Sequence, residues 1–321
     1  MFKDWNVVFV PYCTGDVFIG NKVVPARESG IEGQLGNPQC LGLDYPMHMN
    51  GYNNTMSALS WALQNYPDVD QLVLAGSSAG SLGSQLYSAQ VAKMWDVDAK
   101  GTKFSVMADS YVGFFPSNHP IGETMEYFGA CSNGLDYPER ITAACKAKTA
   151  STAEIVEALL ERRPTDDWLF INSMGDQLQR YYYALVEQGI QGFPFSKLMS
   201  EEDFYRNVSE ILEAYQSVNP HVSTIYMEGK QHTFLMDSNF TDYKSNENVR
   251  LGDYINNWLA SKTIDTLNTS ISMTTAPDIT VPTGEDEDRT IDVNPVEQQT
   301  WESPTQHQNN KGAARGSSNR P

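Results

Sequence analysis

The 321-residue chain has little positive charge, few cysteines, few histidines and no long apolar run. Lysine and arginine number 22 against 40 acidic residues, a net charge of -18. That balance argues against nucleic acid or an anionic membrane surface as the main partner, since both select basic patches. No stretch is apolar over the ~20 residues a bilayer-spanning helix needs, so no membrane span is expected. The four cysteines, Cys13, Cys40, Cys131 and Cys145, show no C-x-x-C spacing, which speaks against a zinc site. Cys131 and Cys145 flank a polar loop. They either close it as a disulfide, the arrangement expected here, or remain two thiols. Met1-Phe-Lys-Asp-Trp-Asn6 is not a signal peptide, because no apolar stretch follows a basic start.

What is present is enough apolar material, 40% of residues, for one sizeable core. At its centre lies Gln71-Leu-Val-Leu-Ala-Gly-Ser-Ser-Ala-Gly80. An apolar run leads into Gly76-Ser77-Ser78-Ala79-Gly80, and small residues continue into a helix-compatible segment. This is the G-x-S-x-G spacing of a nucleophile elbow. A tight strand-to-helix turn with strained backbone tolerates only small neighbours, and it lifts the Ser78 hydroxyl off the sheet end. The amide of Ala79 then faces a developing oxyanion. The bland alternative is an ordinary Gly/Ser turn. Asn53, Asn207, Asn239 and Asn268 each begin an Asn-X-Ser/Thr triplet, the acceptor pattern of a secreted glycoprotein.

Along the chain, strand patterns alternate with helical ones. Trp5–Cys13 reads as a buried strand running into the Thr14-Gly15-Asp16 turn. Residues 20–46 read as a long loop, and Gly51–Leu63 as a helix closed by Tyr66-Pro67. Lys103–Asp109 is a strand, followed by the aromatic loop Ser110–Pro116, and residues 119–150 are irregular. Thr152–Glu161 is an amphipathic helix opened by Ser151 or Thr152, with Glu154 near its start. Asp167–Asn172 is a strand, and a helix follows it through Leu178, Tyr181, Tyr182 and Leu185. Glu201–Ser217 is a helix, Pro220–Met227 a strand, and Gly252–Leu259 the last helix. Residues 263–321 are rich in Ser, Thr, Asn and Pro with an acidic knot, and read as a disordered tail after a hydrolase domain of residues 1–262. The alternation predicts an α/β fold, a mostly parallel sheet flanked by helices in three layers.

Ser78 needs a base and an orienting acid. Of the five histidines, His307 lies in the tail, His48 and His119 lie in loops, and His221 precedes a strand. Only His232 follows a strand at the same sheet end as Ser78. Asp16, Asp109 and Asp176 all end strands on that side. The chain order nucleophile, acid, histidine of α/β-hydrolases removes Asp16. Asp176 is preferred over Asp109 because it follows the strand just before the one carrying His232. Asp109 then shapes the pocket. Each acid also has the plain alternative of a turn or helix cap.

Val8–Asp16, Gly51–Asn54 with Ala58, Leu59 and Trp61, and Gly76–Gly80 with Gly83 and Ser84 together resemble the pectinacetylesterase/Notum family. Ala108-Asp109-Ser110, Asp176 and His232 fall where that family places its later motifs. The resemblance implies an α/β-hydrolase-like fold and a secreted serine carboxylic ester hydrolase. It implies Ser78 as nucleophile, Asp176 as acid and His232 as base. It needs no metal or organic cofactor. Members remove acetyl groups from pectin or a fatty acyl group from a lipidated protein. An acetylated polysaccharide or another acyl ester is the implied substrate, with Asp16, Asp109 and Ser110 expected to contact it. A monomer is expected.

Two departures stand out. The family commonly has Cys before the nucleophile, where this chain has Ser77; both are small, and the change should be tolerated. Members also carry a signal peptide, early strands and a Gly-rich oxyanion loop ahead of Val8–Cys13. These are expected to be missing from a chain that begins at Met1. One absent oxyanion donor costs on the order of 2.7–4 kcal/mol of transition-state stabilisation. A truncated, inactive chain acting as a binding protein is the alternative from another class.

Overall fold

The computed structural model describes residues 2–24, 46–189, 195, 198–237, 240–245 and 248–260, with the backbone of 270–274. All of them belong to one compact unit, Met1–Val281. The chain runs β1 (Lys22–Val24), β2 (Met47–Met49), α1 (Gly51–Asn65), β3 (Gln71–Ser77), α2 (Ala79–Trp95), α3 (Val97–Lys100), β4 (Lys103–Asp109), α4 (Ile121–Tyr127), α5 (Glu139–Lys146), α6 (Thr152–Arg162), β5 (Asp167–Ser173), α7 (Gln177–Gln188), α8 (Glu201–Val218), β6 (Val222–Met227), β7 (Lys244–Ser245), α9 (Leu251–Ala260) and β8 (Ser270–Thr274).

Near-continuous apolar runs mark strands buried on both faces. Here they build a sheet of order β3-β4-β5-β6-β8-β7. Its pairs are parallel from β3 to β8, and only β7 is antiparallel. Side chains alternate across it. Val106, Ala108, Trp168 and Phe170 join one core, with α2, α6 and α8. Met107, Leu169, Ile171, Ile225 and Met227 join the other, against α9. Sheet and two helical layers give the three-layer α/β arrangement that the alternation predicted.

The parallel pairing brings the C-terminal ends of β3, β4, β5 and β6 to one edge of the sheet. Ser77 pairs with Asp109 there, and Ser173 with Met227. Ser78, Ser110, Asp176 and His232 follow those ends.

Several expectations change. Trp5–Cys13 is not a buried strand: it holds no regular element and no ladder partner, with Val7 and Phe9 about 70% exposed (72% and 71%). β-Branched sequence makes a strand only when a neighbouring edge offers hydrogen bonds, and none pairs with it among the described residues. Residues 119–150 are not irregular but hold α4 and α5, each starting after a proline that serves as N-cap, Pro120 and Pro138. Cys131 and Cys145 do form a disulfide, with Cα atoms 5.5 Å apart, tying the segment between these helices to the end of α5. Cys13 is free and exposed. Cys40 lies outside the described residues. Ser151, not Thr152, caps α6: its hydroxyl accepts from Glu154 N, and the Glu154 carboxylate accepts from Ser151 N at 2.9 Å. Within the stretch read as a tail, Ser270–Thr274 forms β8, whose Ser-Ile-Ser-Met-Thr alternation is a strand pattern that composition alone obscured. The remainder of that stretch, most of the 20–46 loop, Asn239 and Asn268 lie outside the described residues. Asn53 and Asn207 sit within α1 and α8.

Candidate functional site

Ser78 joins β3 to α2 with φ 57° and ψ -121°, a backbone that β-carbons disfavour. Two neighbours hold it there. Its own amide donates to Asp109 O at 2.8 Å, and its carbonyl accepts from Ser81 N at 2.9 Å. Gly76 makes the turn possible. A Cβ at that position would stand 2.0 Å from Gly80 O, so the strand end and the first helical turn touch backbone to backbone. Behind Ser78, the first amides of the 17-residue α2, beginning at Ala79, have no intrahelical acceptor. They carry the positive end of the helix dipole.

His232 lies in the loop after β6. Its Nδ1 stands 3.0 and 2.9 Å from the two carboxylate oxygens of Asp176. Asp176 has no exposed surface and caps α7, accepting from Gln179 N and Gln179 Nε2, both at 2.9 Å. Gln179 Nε2 also donates to Asn172 Oδ1 at 2.7 Å. In the neutral ring, a proton on Nδ1 is the one that the Asp176 carboxylate can accept, and that tautomer leaves the lone pair on Nε2. Nε2 is buried and has no hydrogen-bond partner among the described residues. The backbone around the ring is pinned: Ser173 Oγ donates to Gln231 O. Gln231 Nε2 donates to Tyr243 Oη at 2.9 Å.

Ser78, Ala79 and His232 line one cavity of about 1450 Å³. Its walls are largely aliphatic and aromatic, from Phe18, Leu74, Phe114, Leu235 and the Val7–Val10 segment. Ser78 on a strained turn, an imidazole with a free ring nitrogen and a buried acid behind it are the parts that nucleophilic acyl transfer uses.

The residues expected to contact substrate fall differently. Asp16 is fully buried, and its carboxylate accepts from Gly51 N at 2.8 Å and Thr14 Oγ1 at 2.7 Å. It caps α1, whose own N-cap Asn50 makes no side-chain cap bond. Asp109 is fully buried as well, and it accepts from Ser77 Oγ, Ser110 Oγ, Phe234 N and Leu235 N. Burial pushes its carboxyl above the usual carboxylate range, and these donors oppose the shift. Neither acid offers surface to a substrate, because each is consumed by backbone and hydroxyl donors. Ser110 lines the cavity but is itself without exposed surface.

The sequence pattern gives no role to Gln179 or Asn172 as read above, and it marks Ser77 only as a small residue, not as the donor to Asp109. A signal for Gln179 was nevertheless present: Asp176-x-x-Gln179 is the spacing of a helix cap with a returning amide.

Two crystal forms of the Wnt deacylase Notum from Drosophila are similar in fold. Each is 15% identical to this chain. One aligns over 81% of this chain and 69% of that one with a TM-score of 0.49. The other aligns over 77% and 65% with a TM-score of 0.46. No curated protein sequence matches. The sequence profile of the pectinacetylesterase family matches residues 1–264, and with four fifths of its length inside that match the chain belongs to the pectinacetylesterase family, a family of carboxylic ester hydrolases.

Proposed function

We propose that the chain is a secreted serine esterase that deacetylates pectin or a related polysaccharide, with Ser78 as nucleophile, His232 as base and Asp176 as orienting acid. One observation carries the reading: His232, whose buried Nε2 has no hydrogen-bond partner among the described residues and whose Nδ1 meets Asp176, lines the same cavity as Ser78. His232 Nε2 takes the Ser78 proton as Oγ attacks the ester carbonyl carbon. The carbonyl electron pair moves onto its oxygen, which rests on the Ala79 amide and the α2 dipole. Collapse breaks the bond to the sugar oxygen, which leaves with the proton from Nε2. Water then gives a proton to Nε2 and its oxygen attacks the acyl carbon. Acetate departs and Ser78 Oγ recovers the proton. Asp176 holds the Nδ1–H tautomer and stabilises the transient imidazolium.

Acetate release from acetylated pectin tests this. Ser78→Ala is expected to lower kcat by at least about 10³-fold, and Asp176→Asn by about 10³–10⁴-fold, each with a native fold. Undiminished release from Ser78→Ala would remove the assigned nucleophile.

A second reading is favoured by the cavity itself. Its volume far exceeds what an acetyl group fills, and its walls are apolar, as a long acyl chain requires. Hydrolysis of p-nitrophenyl esters from acetyl to hexadecanoyl separates the two. A preference for long chains would replace the polysaccharide reading with lipid deacylation.

A further inference from the structure

Asp109 is a buried carboxylate at the end of β4, with no cationic partner within ion-pair distance among the described residues. Protein donors alone solvate it, and they come from three separate places. Ser77 Oγ, on the strand that carries Ser78, donates to Oδ2 at 2.7 Å. Ser110 Oγ donates to Oδ1 at 2.9 Å. Phe234 N and Leu235 N, in the loop that carries His232, each donate to Oδ2 at 2.9 Å. Ser110 Oγ also accepts from Thr233 N at 2.8 Å. The three amides that follow His232 are therefore all held by one carboxylate and its neighbouring hydroxyl.

Backbone strain gathers at the same point. Ser78, Ser110 and Thr233 adopt φ of 57°, 62° and 68°. They are three of the eight non-glycine residues with positive φ among those described. Such conformations persist where surrounding bonds over-determine them, and they concentrate at functional sites. Each of the three is tied to Asp109: Ser78 through its amide to Asp109 O, Ser110 directly, and Thr233 through Ser110.

We propose that Asp109 is a positioning residue that locks the His232 loop to the Ser78 strand, setting the reach between Nε2 and Oγ. The proposal rests on the serine esterase reading of the site. It also assigns a task to Ser77. Its hydroxyl is the link from the elbow strand to the carboxylate, a bond that a thiol makes only weakly. Asn at position 109 keeps the shape of Asp but turns an NH2 toward donors, so the lock cannot close on both sides. A displacement near 1 Å between nucleophile and base costs on the order of 10²-fold in rate.

The test is a graded series, Asp109→Asn, Ser77→Ala and Ser77→Cys, in the full chain. Near-UV circular dichroism checks the fold, and p-nitrophenyl acetate reads the kinetics. Asp109→Asn is expected to lower kcat about 10²-fold with KM within threefold. Ser77→Ala should lower kcat several-fold, and Ser77→Cys less. The acid limb of kcat/KM should move in Asp109→Asn, since the imidazole no longer meets Asp176 squarely. Folded variants with kcat within twofold of wild type, or a loss confined to KM, overturn the proposal. A readout that needs no activity keeps it separable from the esterase reading. In protein labelled with 15N-histidine, Asp109→Asn should shift the His232 ring signals, and the amides of Thr233–Leu235 should exchange faster. Unchanged ring signals and unchanged exchange overturn the lock whatever Ser78 does. Activity retained by Ser78→Ala overturns the esterase reading alone.

Discussion

Asp109 ends β4 and Asp176 follows the end of the neighbouring β5, and both lack exposed surface. A buried carboxylate must be solvated by protein donors, and the identity of those donors decides its use. At Asp176 one donor is the His232 ring; at Asp109 all four are neutral backbone or hydroxyl groups. Asp109 gives a pH signature. Burial raises its pKa in the folded chain, so the folded state holds a proton that the unfolded state has already lost. Stability contributed by Asp109 is therefore present at and below the ordinary carboxylate range and declines as pH rises toward the raised value. In urea unfolding, the advantage of wild type over Asp109→Asn is expected to shrink from about pH 4 toward neutrality. An advantage that grows with pH would mean that the four donors outweigh burial. At this scale the sequence was informative where chemistry follows strand order. Counting strand ends put Asp176 and His232 forward together, and the structure places the His232 ring against the Asp176 carboxylate. The partners of Asp16 and Asp109 could not be found in that way, because a pairing such as Asp109 with Leu235 spans 126 positions and leaves no local pattern.

Among the elements, the turn from β3 to α2 closes with backbone against backbone. The two glycines of Gly76-x-x-x-Gly80 look alike in sequence and differ in space. A methyl at Gly76 meets backbone atoms of Gly80 at 2.0 and 2.3 Å, and neither side is a flexible side chain. A methyl at Gly80 meets only the Phe18 ring, at 3.7 Å. Gly76→Ala is expected to cost about 3 kcal/mol of stability and most of the activity. Gly80→Ala should change stability by less than about 1 kcal/mol, since helix propensity offsets the new contact. Denaturant midpoints of the two variants check this, and equal losses would mean that the elbow is not closed backbone to backbone. Long elements were legible because their periodicity is strong: Lys103–Asp109 falls where its apolar run does, and α8 spans Glu201–Val218. The short α4 and α5 were missed because seven or eight residues give barely two turns of period. Trp5–Cys13 was misread for the opposite reason. Its composition is that of a strand, but strand formation depends on a neighbour that composition does not reveal.

For the whole molecule, the balance between charge and exposed apolar surface decides behaviour in solution. β3 forms one edge of the sheet, and the unpaired Val7–Val10 segment walls the cavity beside it. Val7, Phe9 and Met236 are each about 70% exposed (72%, 71% and 69%). Apolar edges of this kind invite association, and net charge opposes it. With a net charge of -18 the chain repels its copies at pH 7. Near its isoelectric point of about 4.6 that repulsion vanishes while the apolar wall remains. Light scattering in low-salt buffer is expected to stay flat from pH 8 to 6 and to rise steeply as pH approaches the isoelectric point. The double variant Val7→Asp, Phe9→Asp should suppress the rise. Both side chains are mostly solvated already, so each replacement should shift stability by no more than about 0.5 kcal/mol. If the variant associates as wild type does, another surface carries the association.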